Sequence, residues 1–143
     1  MKTNRGFSLL ELLIVVAIIL IIATIAIPSL LRSRQSANES AAVSNLRLVN
    51  TAEVTYASAN QGSYGDVTNL VAAGLLDARF QQIVSGYSFW VDVSMDTLDY
   101  TSNAVARGVN DGRYDYYSRP DYIIRYSANV ARAPTGLTAE PVR

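Results

Sequence analysis

Apolar and polar residues are distributed unevenly along this 143-residue chain. An apolar run starts at Phe7 and ends at Leu31, and within it residues 12–31 are twenty consecutive positions without a charge. A helix needs about 20 such residues to cross the hydrocarbon core of a bilayer. The helix signal then continues to about Asn60, because no Gly or Pro interrupts residues 29–60 and Ala, Leu, Arg, Gln and Glu are frequent there. Its character changes on the way. Ala42, Leu46, Val49, Ala52 and Tyr56 fall at helical spacing and predict one apolar face, with Asn45, Arg47, Asn50 and Thr51 opposite. A helix that is apolar all round in its first half and amphipathic in its second suits a segment that leaves a membrane or an apolar assembly core and then lies against a globular head. Asn60-Gln61-Gly62 supplies the stop.

Beyond the stop the periods shorten. Asp66 is placed to cap a short helix through Leu70 and Val71 towards Gly74, and residues 78–84 predict a further short turn. Residues 87–93, Tyr-Ser-Phe-Trp-Val-Asp-Val, have the alternation and the aromatic and β-branched content of a strand. Ser94-Met95-Asp96 predicts a turn and residues 97–105 a returning strand. Asn110-Asp111-Gly112 is a second turn signal. Residues 113–118 and 122–127 read as third and fourth strands, divided by Arg119-Pro120-Asp121. The tail from Ala133, with Pro134, Gly136 and Pro141, reads as irregular. The expected fold is α+β: a long N-terminal helix packed on an antiparallel sheet of about four strands. The chain divides into residues 1–6, an apolar helical half at 7–31, an amphipathic half at 32–60, and a head at 61–143.

Composition narrows the chemistry. Basic and acidic side chains balance at 12 each, so no polycation points to nucleic acid or an anionic surface. His and Cys are absent, which removes Ser-His-Asp and Cys-His catalysis, His or Cys zinc sites and thiol redox chemistry together. No nucleophile–base pair is in view, and no cofactor is implied. Lys2 and Arg5 precede the apolar run, and the positive-inside rule then sets the N-terminus in the cytoplasm. The run itself has three readings: a cleaved signal peptide with Ala23 and Ala26 near the cut, a plain anchor, or a prepilin. Glu11 discriminates. A carboxylate costs about 2.5–3.5 kcal/mol at the centre of a membrane helix and less near its end, and neither of the first two readings gains from it.

Arg5-Gly6-Phe7-Ser8-Leu9-Leu10-Glu11-Leu12-Leu13 resembles the processing site of type IV pilins and type II secretion pseudopilins. The resemblance implies a leader at 1–6, cleavage between Gly6 and Phe7 by a prepilin peptidase, and N-methylation of Phe7. It makes Glu11 the fifth mature residue, able to neutralise the N-terminus of a neighbouring subunit, and Pro28 the proline that kinks the helix. It also implies a homo-oligomeric helical filament, an inner-membrane assembly platform, and membrane residence before assembly into an extracellular pilus. A pseudopilin or minor pilin shares these marks. A membrane-anchored binding protein that never polymerises is the rival from another class.

Other candidates have simpler explanations. Asp92, Asp96 and Asp99, or Asp111 and Asp115, offer oxygen ligands of the kind calcium takes, but their spacing is not that of a helix–loop–helix calcium site and turn chemistry accounts for Asp111. Tyr114, Tyr116, Tyr117, Tyr122 and Tyr126 suit strands packed on a helix. Arg113, Arg119, Arg125 and Arg132 are interspersed with Asp111, Asp115 and Asp121, which largely cancel a phosphate-binding field. They read as a solvated face, and no specific nucleic-acid partner is expected.

Overall fold

The computed structural model describes residues 7–127 and 140–141. Two compact units are present, Met1–Ser33 and Arg34–Arg143. Helix α1, Leu9–Ala59, contributes to both. In the first unit every Phe, Leu, Ile and Val side chain from Phe7 through Leu31 is exposed, and Ala23 is half-buried. In the second, Ala42, Leu46, Val49 and Ala52 are buried and Tyr56 packs against them, as the helical spacing predicts. The helix ends at the stop that Asn60-Gln61-Gly62 predicts. Gly62 N–H reaches back to the Ala57 carbonyl at 2.8 Å, with Gln61 in the left-handed region at φ 57°.

The head follows the expected order. Asp66 caps α2, Val67–Ala72, its carboxylate accepting from Asn69 N–H at 2.8 Å. Asp77 caps a 3-10 turn, Ala78–Gln81, in the same manner. The sheet is a continuous antiparallel meander in chain order: β1 Ile83–Val84, β2 Tyr87–Val93, β3 Tyr100–Ala106, β4 Asp115–Ser118, β5 Arg125–Ser127 and β6 Glu140–Pro141. β2 to β5 are the four strands read from the sequence. β1 and β6 are two-residue additions at the edges. Most of the tail from Ala133 lies outside the described residues, but Glu140–Pro141 pairs with β5 rather than being irregular.

Packing follows from the strand period. In β2, Tyr87, Phe89 and Val91 point inward and Trp90 and Asp92 outward. The inward row joins Tyr100, Ala104 and Tyr116 from β3 and β4, Leu70 from α2, and the stripe of α1 in one core. The loop at residues 107–114 holds the Asn110-Asp111-Gly112 turn, but Gly112 is not in the left-handed region. Glycine is required there by close approach instead: a Cβ would lie 1.9 Å from the Tyr87 hydroxyl.

One expectation about α1 fails. Asn45 and Asn50 are expected opposite the stripe, yet both are buried: Asn45, three residues after Ala42 and four before Val49, lies within the arc of the stripe and Asn50 lies on its flank, while Arg47 and Thr51 are exposed as expected. Helix α1 also buries Glu39 and Glu53. The sheet covers a wider arc of the helix than the apolar stripe alone, so the positions flanking the stripe are enclosed with it.

Candidate assembly site

The start of α1 is built by a reciprocal cap. Ser8 is the residue before the first helical turn, and its Oγ accepts from Leu10 N–H at 3.3 Å. The Glu11 carboxylate reaches back through Oε2 to Ser8 N–H at 3.0 Å. This is the Ser-x-x-Glu capping box, which satisfies orphan donors at a helix N-terminus and favours a negative charge there. The sequence carries this signal in its spacing, and it adds a hydrogen bond to the favourable helix dipole expected for a carboxylate near a helix N-terminus. Both members of the box lie after Gly6, so cleavage there would leave it intact. Phe7 is 82% exposed beside it. Gly6 lies outside the described residues.

Pro28 sits inside α1. It has no N–H, so the Thr24 carbonyl four residues earlier lacks its helical donor. Thr24 Oγ1 donates to the Ile21 carbonyl at 2.7 Å. The helical assignment runs unbroken through this stretch, and α1 is long and apolar enough to cross a membrane.

In the head, α1 is fixed to the sheet by polar contacts that sequence reasoning did not foresee. Glu39 accepts from Arg113 Nε at 3.1 Å, from Nη2 at 2.8 Å and from the Arg113 backbone N–H at 2.7 Å. The hydrogen bonds to Glu39 hold the Arg113 guanidinium above its usual pKa. Asn38 Nδ2 donates to the Asp111 carbonyl at 2.9 Å and Gln35 Nε2 to that of Val109. Further along, Asn50 Nδ2 donates to Ser118 Oγ at 2.8 Å, and Asn50 Oδ1 accepts from Ser102 Oγ at 2.8 Å and Tyr100 OH at 3.4 Å. Glu53 is fully buried. Its Oε2 accepts from Gly65 N–H at 3.2 Å and its Oε1 has no partner among the described residues. Burial pushes its carboxyl up to about 7, with Asp66 adding to the rise and the Gly65 hydrogen bond opposing it. Its position was legible: it stands four residues after Val49 and seven after Leu46, in the middle of the stripe.

The remaining candidates are dispersed or committed. Asp92 accepts from Trp90 Nε1 and Asn103 Nδ2, both at 3.0 Å, while Asp96 is held by the Ser94 hydroxyl and Leu98 N–H. Asp115 is buried and accepts from Ala106 N–H at 2.9 Å. Among the described residues, no three carboxylates converge as a metal site. Tyr116 and Tyr117 are buried, Tyr114 stacks edge-on against Tyr126 at 5.0 Å, and Tyr122 is exposed, so packing accounts for most of the tyrosine run. Arg125 grips Asp121 through both Nη atoms and Arg113 is engaged with Glu39, so neither is simply solvated as the sequence reading had it. Arg132 lies outside the described residues.

The prokaryotic N-terminal methylation motif matches residues 1–27. The resemblance to type IV pilins holds. The chain is 44% identical over 66 residues to the type IV major pilin protein PilA of Myxococcus xanthus, a match covering 46% of this chain and 30% of that pilin. It is 36% identical over 75 residues to the type IV wide pilus major component PilA4 of Thermus thermophilus, covering 52% of this chain and 57% of that one. The chain thus matches less than two thirds of the length of either pilin. No solved structure gives a significant match.

Proposed function

We propose that this chain is the structural subunit of a type IV pilus-like extracellular filament, non-enzymatic and held together by packing of its N-terminal helices. The observation that carries the reading is the exposed apolar surface from Phe7 to Leu31, most of which lies within the methylation motif at residues 1–27 and which holds a single carboxylate, Glu11. Such a surface cannot remain in water. Each Leu, Ile or Val fully buried contributes about 1.5–3 kcal/mol, and a bilayer and a bundle of like helices are the two environments that satisfy it. The chain enters the inner membrane with Lys2 and Arg5 on the cytoplasmic side. Prepilin peptidase cuts between Gly6 and Phe7, Phe7 is N-methylated, and an assembly platform moves the helix from lipid into the filament. Pro28 leaves the Thr24 carbonyl unbonded and gives the helix a place to open when packed or pulled. That the matched relatives carry the name of major pilins favours this reading over a pseudopilin.

In the filament, Glu11 neutralises the N-terminal ammonium of a neighbour. No Lys or Arg occurs between Arg5 and Arg32, so that amine is the nearest cation the sequence offers. The capping box supplies the discriminating test. Glutamine can occupy the same capping position, so Glu11→Gln keeps the cap and removes the charge, whereas Glu11→Val removes both. Each variant is expressed, and membrane-bound protein is compared with sheared extracellular protein. Both should insert normally and both should form few filaments. Normal filaments from Glu11→Gln would show that Glu11 serves its own helix and not a neighbour. A start other than Phe7 in sheared material would sink the prepilin reading itself.

A further inference from the structure

The head carries two surface features that its own fold leaves unfilled. The first is a groove of about 240 Å³ between the outer side of α1 and the segment that follows α2. Its apolar wall is Leu48, Leu75, Leu76 and Phe80, and Leu48 is 49% exposed. Arginines flank it: Arg79 lies on its rim, and the exposed Arg47 adjoins Leu48. Asp77, the one acidic residue lining it, keeps its charge while capping the 3-10 turn, so that with Arg79 and Arg47 the margin of the groove carries one net positive charge.

The second feature is the connection between β2 and β3, residues 94–99. Met95 is fully exposed and Leu98 is 63% exposed. This tip is fixed in shape. Thr97 N–H bonds the Ser94 carbonyl at 2.9 Å, Ser94 N–H bonds the Asp99 carbonyl at 2.9 Å, and Tyr64 N–H ties the Thr97 carbonyl to the chain beyond α1 at 2.9 Å. Thr97 is held at φ 58°, a region that β-branched residues rarely enter. Asp96 and Asp99 flank the two apolar side chains. The Ser94 hydroxyl and Leu98 N–H hold the Asp96 carboxyl below its usual range, so it is charged at neutral pH. Among the described residues, Arg47, Arg79, Asp96 and Asp99 all stand outside the ion pairs.

We propose that the β2–β3 tip of one copy seats in the groove of a second copy, with Met95 and Leu98 against Leu48 and Leu75 and with Asp96 and Asp99 facing Arg79 and Arg47. An apolar tip flanked by acids and an apolar groove flanked by arginines are complementary in both respects, and a preformed tip loses little conformational freedom on docking. Tip and groove are different surfaces, so the contact is head-to-tail. Each added copy presents a fresh groove and a fresh tip, which is the condition for an open chain of subunits and not a closed dimer. The contact is too small to hold two heads together in solution; it sets the register between heads whose helices already pack. The inference therefore rests on the filament reading.

The chain has no Cys, so paired cysteines report the contact cleanly. Full-length protein carrying Met95→Cys with Leu75→Cys is expressed, sheared from cells and oxidised. A ladder of disulfide-linked multimers is expected from these filaments, and none from Met95→Cys with Val109→Cys, since Val109 is exposed but lies away from the groove. Arg79→Asp should lower filament yield several-fold and Asp96→Arg in the same chain should restore it. Filaments at normal yield without the 95–75 ladder, or with an equal 95–109 ladder, would overturn the contact and leave the pilin reading standing. A double charge reversal that restores nothing would also overturn it. If the unsubstituted chain forms no filament in a host competent for pilus assembly, the pilin reading fails and the contact falls with it.

Discussion

Glu53→Gln tests how the head tolerates a carboxylate in its core. Glu53 is wholly enclosed, has Gly65 N–H as its one hydrogen-bond donor at 3.2 Å, and forms no ion pair among the described residues. Removal of the charged form from water dominates, Asp66 adds repulsion, and the carboxyl rises from 4.5 to about 7. At about 1.4 kcal/mol per tenfold change in the protonation equilibrium, that corresponds to roughly 3 kcal/mol. The sign follows from linkage. Between about 4.5 and about 7 the folded chain holds a proton that the unfolded chain has released, so stability falls as pH rises through this window and levels off above it. Below about 4.5 both states are protonated and the full contribution is present. The amide that Glu53→Gln introduces keeps the side-chain shape and the acceptor for Gly65 without a titrating proton. The variant should match the native chain near pH 4 and exceed it by about 3 kcal/mol near pH 8. The assay is chemical unfolding of the full chain in detergent micelles, followed through Trp90 on β2, at a series of pH values for both proteins. Carboxylates such as Asp121, whose pKa is lowered by its hydrogen bonds to Arg125, pull stability the other way at acid pH. The difference between the two proteins removes their contribution. If that difference stayed constant from pH 4 to 8, Glu53 would be ionised in the fold and its burial would have been misread.

Two further substitutions probe the polar contacts and close packing that join helix and sheet. Asn50→Ala removes the acceptor of Ser102 Oγ and Tyr100 OH and the donor to Ser118 Oγ, leaving buried hydroxyls short of partners, so unfolding free energy should drop by roughly 2–4 kcal/mol; a loss under about 0.5 kcal/mol, the size of an ordinary surface substitution, would show the network to be dispensable. Gly112→Ala drives a methyl into the Tyr87 hydroxyl, which donates to the Tyr114 carbonyl at 2.8 Å, and should cost about 1–3 kcal/mol as overpacking does. Adding Tyr87→Phe should recover part of that loss, and the absence of any recovery in urea unfolding would place the strain elsewhere.

Local signals were legible in the sequence because they need no partner distant in the chain. The uncharged stretch at residues 12–31, the Asp66 cap, the stop at Asn60-Gln61-Gly62 and the alternation of residues 87–93 each act within a turn or a strand, and each element forms where its signal lies. The Ser8 to Glu11 spacing was equally local and equally present. The tertiary structure alone decided the fate of Asn50 and Glu39. Helical period places these residues beside or within the apolar stripe, but burial depends on how wide an arc the sheet covers, and the sheet begins only at Ile83. The partners that make burial tolerable are farther still: Ser118 stands 68 residues from Asn50, and Arg113 stands 74 from Glu39. A polar side chain on a helix flank has no intrinsic preference between water and a buried hydrogen bond, since the net difference is only about 1 kcal/mol. Its side is settled when the strands bring a matching hydroxyl, amide or guanidinium to it.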